Sequence, residues 1–247
     1  MGSSAAADLT SRILRHERLI VAVGIAVLVA LSWSFLAAGG GMPDDMPTMR
    51  MPPPPLPALV TMWWLMMVAM MLPSAAPAIL LYAQVRKIRG RDGGIAKTWI
   101  FLGGYVVVWL LFSIGAAIAQ SLLAGHAMAL EDRRLAAALL IATGLYQLSP
   151  LKAACLRQCR SPAQFISRHW RGGNAGAMRL GLLHGAYCVG CCWLLMALLF
   201  VGGVMNFAWI AALTLLVAIE KLVPGGDLLS RLVGLGLIAW GAISIAS

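Results

Sequence analysis

Seven apolar runs follow one another along this chain, most of them near the length needed to cross a bilayer, and they leave it little freedom in what it can become. They cover about 19–38, 58–84, 98–123, 134–151, 180–201, 206–220 and 228–245. A hydrocarbon core of ~30 Å takes about twenty residues of helix, so the pattern predicts an all-α polytopic membrane protein with about seven transmembrane helices. Composition agrees: 61% of residues are hydrophobic and 11% charged, and no stretch between the runs is long enough for a soluble domain. The net charge of +10 would suggest nucleic acid in a soluble protein. Here the basic residues lie in short segments beside the runs, where topology accounts for them and nucleic acid is not expected.

The chemistry concentrates in the fifth run, at His184-Gly-Ala-Tyr-Cys188-Val-Gly-Cys191-Cys192-Trp193. At about 100° per residue, a helix places His184, Cys188, Cys191 and Cys192 within an arc of roughly 100°. Thiolate and imidazole are ligands that Cu(I) and Zn(II) select, and the vicinal Cys191-Cys192 pair would also suit Hg(II). A packing explanation competes: Gly181-x-x-x-Gly185 continues into Cys188 and Cys192 as a small-residue ridge for a neighbouring helix. Against it stands the imidazole, costly inside a membrane without a partner. Cys188-x-x-Cys191 also has redox-dithiol spacing, and the 5 cysteines lack a secreted disulfide pattern.

Sulfur recurs elsewhere. Residues 39–57 form a Gly-, Met- and Pro-rich linker in which Met42, Met46, Met49 and Met51 could collect Cu(I) through thioethers. In the second run Met62, Met66 and Met70 follow i, i+4, i+8 and make one stripe, equally readable as adaptable core filling. Pro73 and Pro77 are expected to bend or break that helix. After the fourth run, Cys155-x-x-x-Cys159 lies in a basic segment, 152–179, that also holds His169. Glu220 beside Lys221 reads as a solvated, snorkelling pair near the membrane boundary, without a catalytic role.

Orientation follows from charge. On alternating sides of seven spans, all of the 19 Lys and Arg except Arg50, Arg133 and Arg134 fall on one side. The positive-inside rule then sets the N-terminus in the cytoplasm and the C-terminus outside. Residues 1–18 become a cytoplasmic tail, 19–247 one transmembrane domain, 39–57 an outward linker and 152–179 a cytoplasmic loop. Met66 and Met70 would approach the fifth-run thiols near mid-membrane, with Cys155 and Cys159 at the cytoplasmic mouth.

Several blocks carry a resemblance: AMMLPSAAP in the second run, YQLSPLKAACLRQCRSP after the fourth, HGAYCVGCCW in the fifth, and GGVMNFAWIAAL and EKLVPGG around the sixth. Together, over roughly Met62 to Gly226, they resemble a bacterial family of predicted metal-binding integral membrane proteins, sometimes labelled copper-chaperone-like. The resemblance implies a multi-pass inner-membrane protein with a metal site at Cys155, Cys159, His184, Cys188, Cys191 and Cys192, and no established reaction. The first run and the Met-Pro linker fall outside these blocks.

The expected function is binding of a soft metal, copper(I) first and zinc as the other fit, with transport or hand-over of the ion. A metallochaperone or a copper enzyme would be the protein partner, and the lipid bilayer the surroundings. Two other functions fit the same residues: a membrane thiol-disulfide oxidoreductase using Cys188/Cys191 and Cys155/Cys159, or a factor inserting copper into a partner enzyme. There is no Walker sequence, acylating serine setting or carboxylate pair, so neither enzymatic catalysis nor energy-driven pumping is expected of the chain alone.

Overall fold

A computed structural model describes residues 2–39, 54–88, 95–123, 130 and 132–246. The proposed Met collector, Met42 to Met51, lies outside these residues. The described residues form helices and no strands: α1 Gly2–Ala37, α2 Leu56–Ile88, α3 Ala96–Leu123, α4 Arg133–Gln147, α5 Pro150–Arg160, α6 Pro162–His169, α7 Gly173–Ala197, α8 Leu199–Gly202, α9 Phe207–Leu222 and α10 Gly226–Ala246.

Among the described residues, α1, α2, α3, α7 continuing into α8, and α10 are each long and apolar enough to cross a membrane. The bent pair α4 and α5 would make a sixth span. The expected sixth run became α9, a helix of 16 residues, short for a crossing. The fourth run ends where Ser149 caps α5 by accepting from Lys152 N and Pro150 takes its first turn, so the chain bends by 63° instead of continuing straight. Segment 152–179, expected as a loop, is therefore α5, α6 and the start of α7.

α2 runs through the middle of the bundle. Trp63, Met66, Met67, Met70, Met71, Leu72 and Ile79 on it are fully buried, whereas α1 and α10 turn Leu19, Val23, Val27, Leu31, Leu228, Leu232 and Ile243 outward. An outer face that apolar suits contact with lipid. α2 also runs unbroken through Pro73 and Pro77. Proline at 73 removes the donor for the Ala69 carbonyl, and the Trp33 indole on α1 donates to that oxygen at 3.2 Å.

α3 and α7 approach one another closely. A Cβ at Gly181 would stand 2.0 Å from the Phe101 carbonyl oxygen, and one at Gly185 would stand 2.9 Å from Val108 Cβ. Only glycine permits that spacing. The packing ridge read from Gly181-x-x-x-Gly185 is real, and it seats α7 so that its cysteines face inward.

Candidate metal centre

His184, Cys188, Cys191 and Cys192 are all buried, with 1–3% of their surface exposed. Helical spacing aligns them on one face of α7, and that face packs against side chains of α2, α3, α5, α6 and α9. Each helix brings a different group.

From α3, the Tyr105 hydroxyl lies 3.2 Å from Cys188 Sγ and 3.2 Å from the Met71 carbonyl. From α2, Met71 Sδ lies 3.7 Å from Cys192 Sγ. Cys159 on α5 is set beside Cys188 and Cys191. Cys155, one turn earlier and half-buried, rests on Gly190, where a Cβ would stand 2.9 Å from its Sγ. The thiols of Cys191 and Cys192 both donate to the Cys188 carbonyl at 3.0 Å. All five cysteines are unpaired as disulfides.

His184 is enclosed by the rings of Phe101, Tyr105 and Phe165 at centroid separations of 6.0, 5.8 and 5.2 Å. Its Nδ1 is buried and has no hydrogen-bond partner among the described residues. A buried, unmatched imidazole nitrogen usually marks a missing ligand or water, and it sits one helical turn from Cys188. His169 instead turns its Nδ1 to the Phe165 carbonyl at 3.0 Å.

The charged residues at the end of α9 depart most from expectation. Glu220 and Lys221 are not a solvated pair but are 1% and 5% exposed. Glu220 turns toward α4, α5 and α10, where it bonds Lys152 Nζ at 2.7 Å, Gln147 Nε2 at 3.0 Å and Ser230 Oγ at 2.8 Å. Lys152 also donates to Gln147 Oε1. Lys221 turns the other way, toward the thiols: its Nζ lies 3.0 Å from Cys188 Sγ, 3.3 Å from Ser74 Oγ and 3.8 Å from Met71 Sδ. Successive residues on a helix differ by about 100° in direction, which sends one to each polar pocket.

Met66 and Met70 are buried in the core, but the thioether seen against the thiols belongs to Met71. Among the described residues, no three His, Cys, Asp or Glu side chains are arranged as a coordination shell. The donors are gathered, with the thiol hydrogens still engaged by backbone. Thiols, a thioether and an imidazole packed together constitute soft-metal chemistry. Among the described residues, the polar side chains bonded to Cys188 and Cys192 include no carboxylate, the ligand hard cations require.

A model of the PpoB2 family, described as a copper chaperone, matches residues 60–244, a span that includes α2 from its second turn onward and every residue of the cluster named above. No curated protein and no solved structure matches the chain.

Proposed function

Since the chain belongs to this copper chaperone family, we propose that it binds copper(I) at the sulfur cluster and hands the ion on across or within the membrane. The observation that carries this reading is the gathering of Cys188, Cys191 and Cys192 on one buried face of α7 with the Met71 thioether of α2, whose Sδ lies 3.7 Å from Cys192 Sγ. Hydrophobic packing has no need of such a convergence, whereas a soft ion does. His184 adds an unmatched nitrogen.

In this reading Cys188, Cys191, Cys192 and His184 supply the inner donors, and Cys159 with Cys155 forms the way out along α5. Met66 and Met70 continue the thioether line along α2 toward the linker that holds Met42 to Met51. The charge distribution supports an inner-membrane protein with its N-terminus in the cytoplasm. The acceptor would be a metallochaperone or a copper enzyme.

The test is the metal content of the detergent-purified full chain, loaded with Cu(I) under reducing conditions, beside a Cys188→Ser/Cys191→Ser variant. Loss of copper in the variant supports the reading; equal content removes it. Copper uptake by proteoliposomes then separates transport from insertion into a partner. The position of Cys159 equally suits thiol-disulfide exchange. That reading wins if thiols trapped in intact cells show a stable Cys188–Cys191 disulfide and the purified protein carries no metal.

A further inference from the structure

Away from the sulfur cluster, we infer that a cavity between the α4/α5 bend and the start of α10 holds the head group of an anionic phospholipid. The cavity measures about 420 Å³, and its lining includes Leu148, Lys152, Ala153, Arg157, Asp227 and Arg231, a size that suits a small ligand. Its shape follows from the backbone. α4 and α10 pack tightly, a Cβ at Gly144 standing 2.5 Å from the Gly234 carbonyl oxygen, and the 63° bend after Ser149 then swings α5 off that line. Arg160 of α5 reaches back to Asp227 of α10 at 3.0 Å. α10 is long and apolar enough to cross the membrane, so its first turns, which carry Asp227 and Arg231, lie at the boundary of the apolar layer.

Charge decides what fits. Among the charged residues of the lining, Lys152 is paired with Glu220 at 2.7 Å and Asp227 with Arg160. Arg157 and Arg231 are exposed and form no ion pair with a described residue. The cavity therefore carries two guanidiniums with no carboxylate of their own, and the guanidinium fork matches phosphate oxygens. Deeper along the span the surroundings turn apolar: Leu145, about one turn before Leu148 on α4, and Leu235, one turn beyond Arg231 on α10, are both exposed. A phosphate head with acyl chains running down the bundle uses both features, whereas a free phosphate or an acidic peptide uses only the first. Basic pockets between helices at a membrane boundary are where anionic head groups are held. Topology alone asks for basic residues on this side, and does not ask that two of them line one cavity.

The experiment incubates the detergent-purified full chain with equal amounts of phosphatidylglycerol and phosphatidylcholine of identical acyl chains and counts each lipid retained by native mass spectrometry. The wild type should retain phosphatidylglycerol in preference. Arg157→Gln/Arg231→Gln should lower that preference about thirtyfold, and Ala153→Phe, which fills the cavity and leaves both charges, should lower it too. Arg168→Gln/Arg179→Gln, which removes two arginines outside the cavity, should stay close to wild type. All these positions are exposed, so the variants should fold. Neither inorganic phosphate nor poly-glutamate, at constant ionic strength, should displace the lipid. Equal retention of the two lipids by the wild type overturns the assignment, as does an equal loss in the Arg168/Arg179 variant. Displacement by phosphate or poly-glutamate gives the cavity to a soluble anion or an acidic segment instead. Copper binding stands or falls separately, because no sulfur donor lines the cavity.

Discussion

The Trp33 indole donates to the Ala69 carbonyl at 3.2 Å, and that carbonyl is the one Pro73 deprives of its helical donor. The bond ties α1 to α2 at the point where α2 would otherwise expose an unpaired backbone group. Trp33→Phe should lower stability in detergent by about 1 kcal/mol, and in a Pro73→Ala background, where the backbone donor returns, by close to nothing. Thermal unfolding of the four proteins of the cycle reads this directly. Equal costs in both backgrounds would show that the indole acts through packing, including its edge contact with Phe207 at 5.3 Å.

Glu220 and Lys152 form a buried pair, so removing one partner strands the other. Glu220→Gln should destabilise by about 3–5 kcal/mol, and Glu220→Gln/Lys152→Met should recover much of the loss. Unfolding midpoints in detergent check it. A double variant worse than either single one contradicts the pairing.

The α3–α7 contact predicts a large effect from a single methyl. Gly181→Ala meets the Phe101 carbonyl at 2.0 Å, and backbone cannot yield as a side chain can. The helices must separate, at a cost of about 3 kcal/mol or more. The displaced α7 should then hold less copper. Gly115→Ala on α3, where nothing lies within 4 Å of the new Cβ, should leave both stability and copper unchanged.

Among the sulfur donors, Met71→Leu should weaken Cu(I) binding by about tenfold in competition with a chromophoric chelator, with little change in stability. Met66→Leu and Met70→Leu should do less. Cys159→Ser should lower affinity more than Cys155→Ser, because Cys159 is set beside both Cys188 and Cys191 whereas Cys155 rests on Gly190 and is only half-buried. The reverse order would move the site toward the mouth of the protein.

His184 provides a cleaner separation of packing from ligation. His184→Phe keeps an aromatic ring among Phe101, Tyr105 and Phe165 and removes the unmatched nitrogen. Stability should hold or rise, and copper affinity should fall. Unchanged affinity would leave the histidine a packing residue.

The face of α7 was legible in the sequence because helical period alone places His184, Cys188, Cys191 and Cys192 together, and the glycine ridge could be read beside it. What surrounds that face was not legible. α2 is apolar on every side, so spacing could nominate the Met62/Met66/Met70 stripe but could not say which sulfur would point at the thiols. One position further along, Met71 does. Cys155 and Cys159 were recognised as a one-turn pair, yet their approach to α7 depends on the 63° bend after Ser149, a tertiary angle that local signals do not contain. Charged residues closing an apolar run ordinarily snorkel. Glu220 and Lys221 do not, because each has found a polar pocket of its own.

That last arrangement gears two distant parts of the bundle together. The carboxylate and the ammonium hang from neighbouring links of one rigid rod, so α9 cannot swivel to draw its amine off the sulfur without also wrenching the acid from Lys152. Any swivelling of this rod is thus braked by an ion pair on its far side, and the amine is left to come and go by rotation about its own flexible stem.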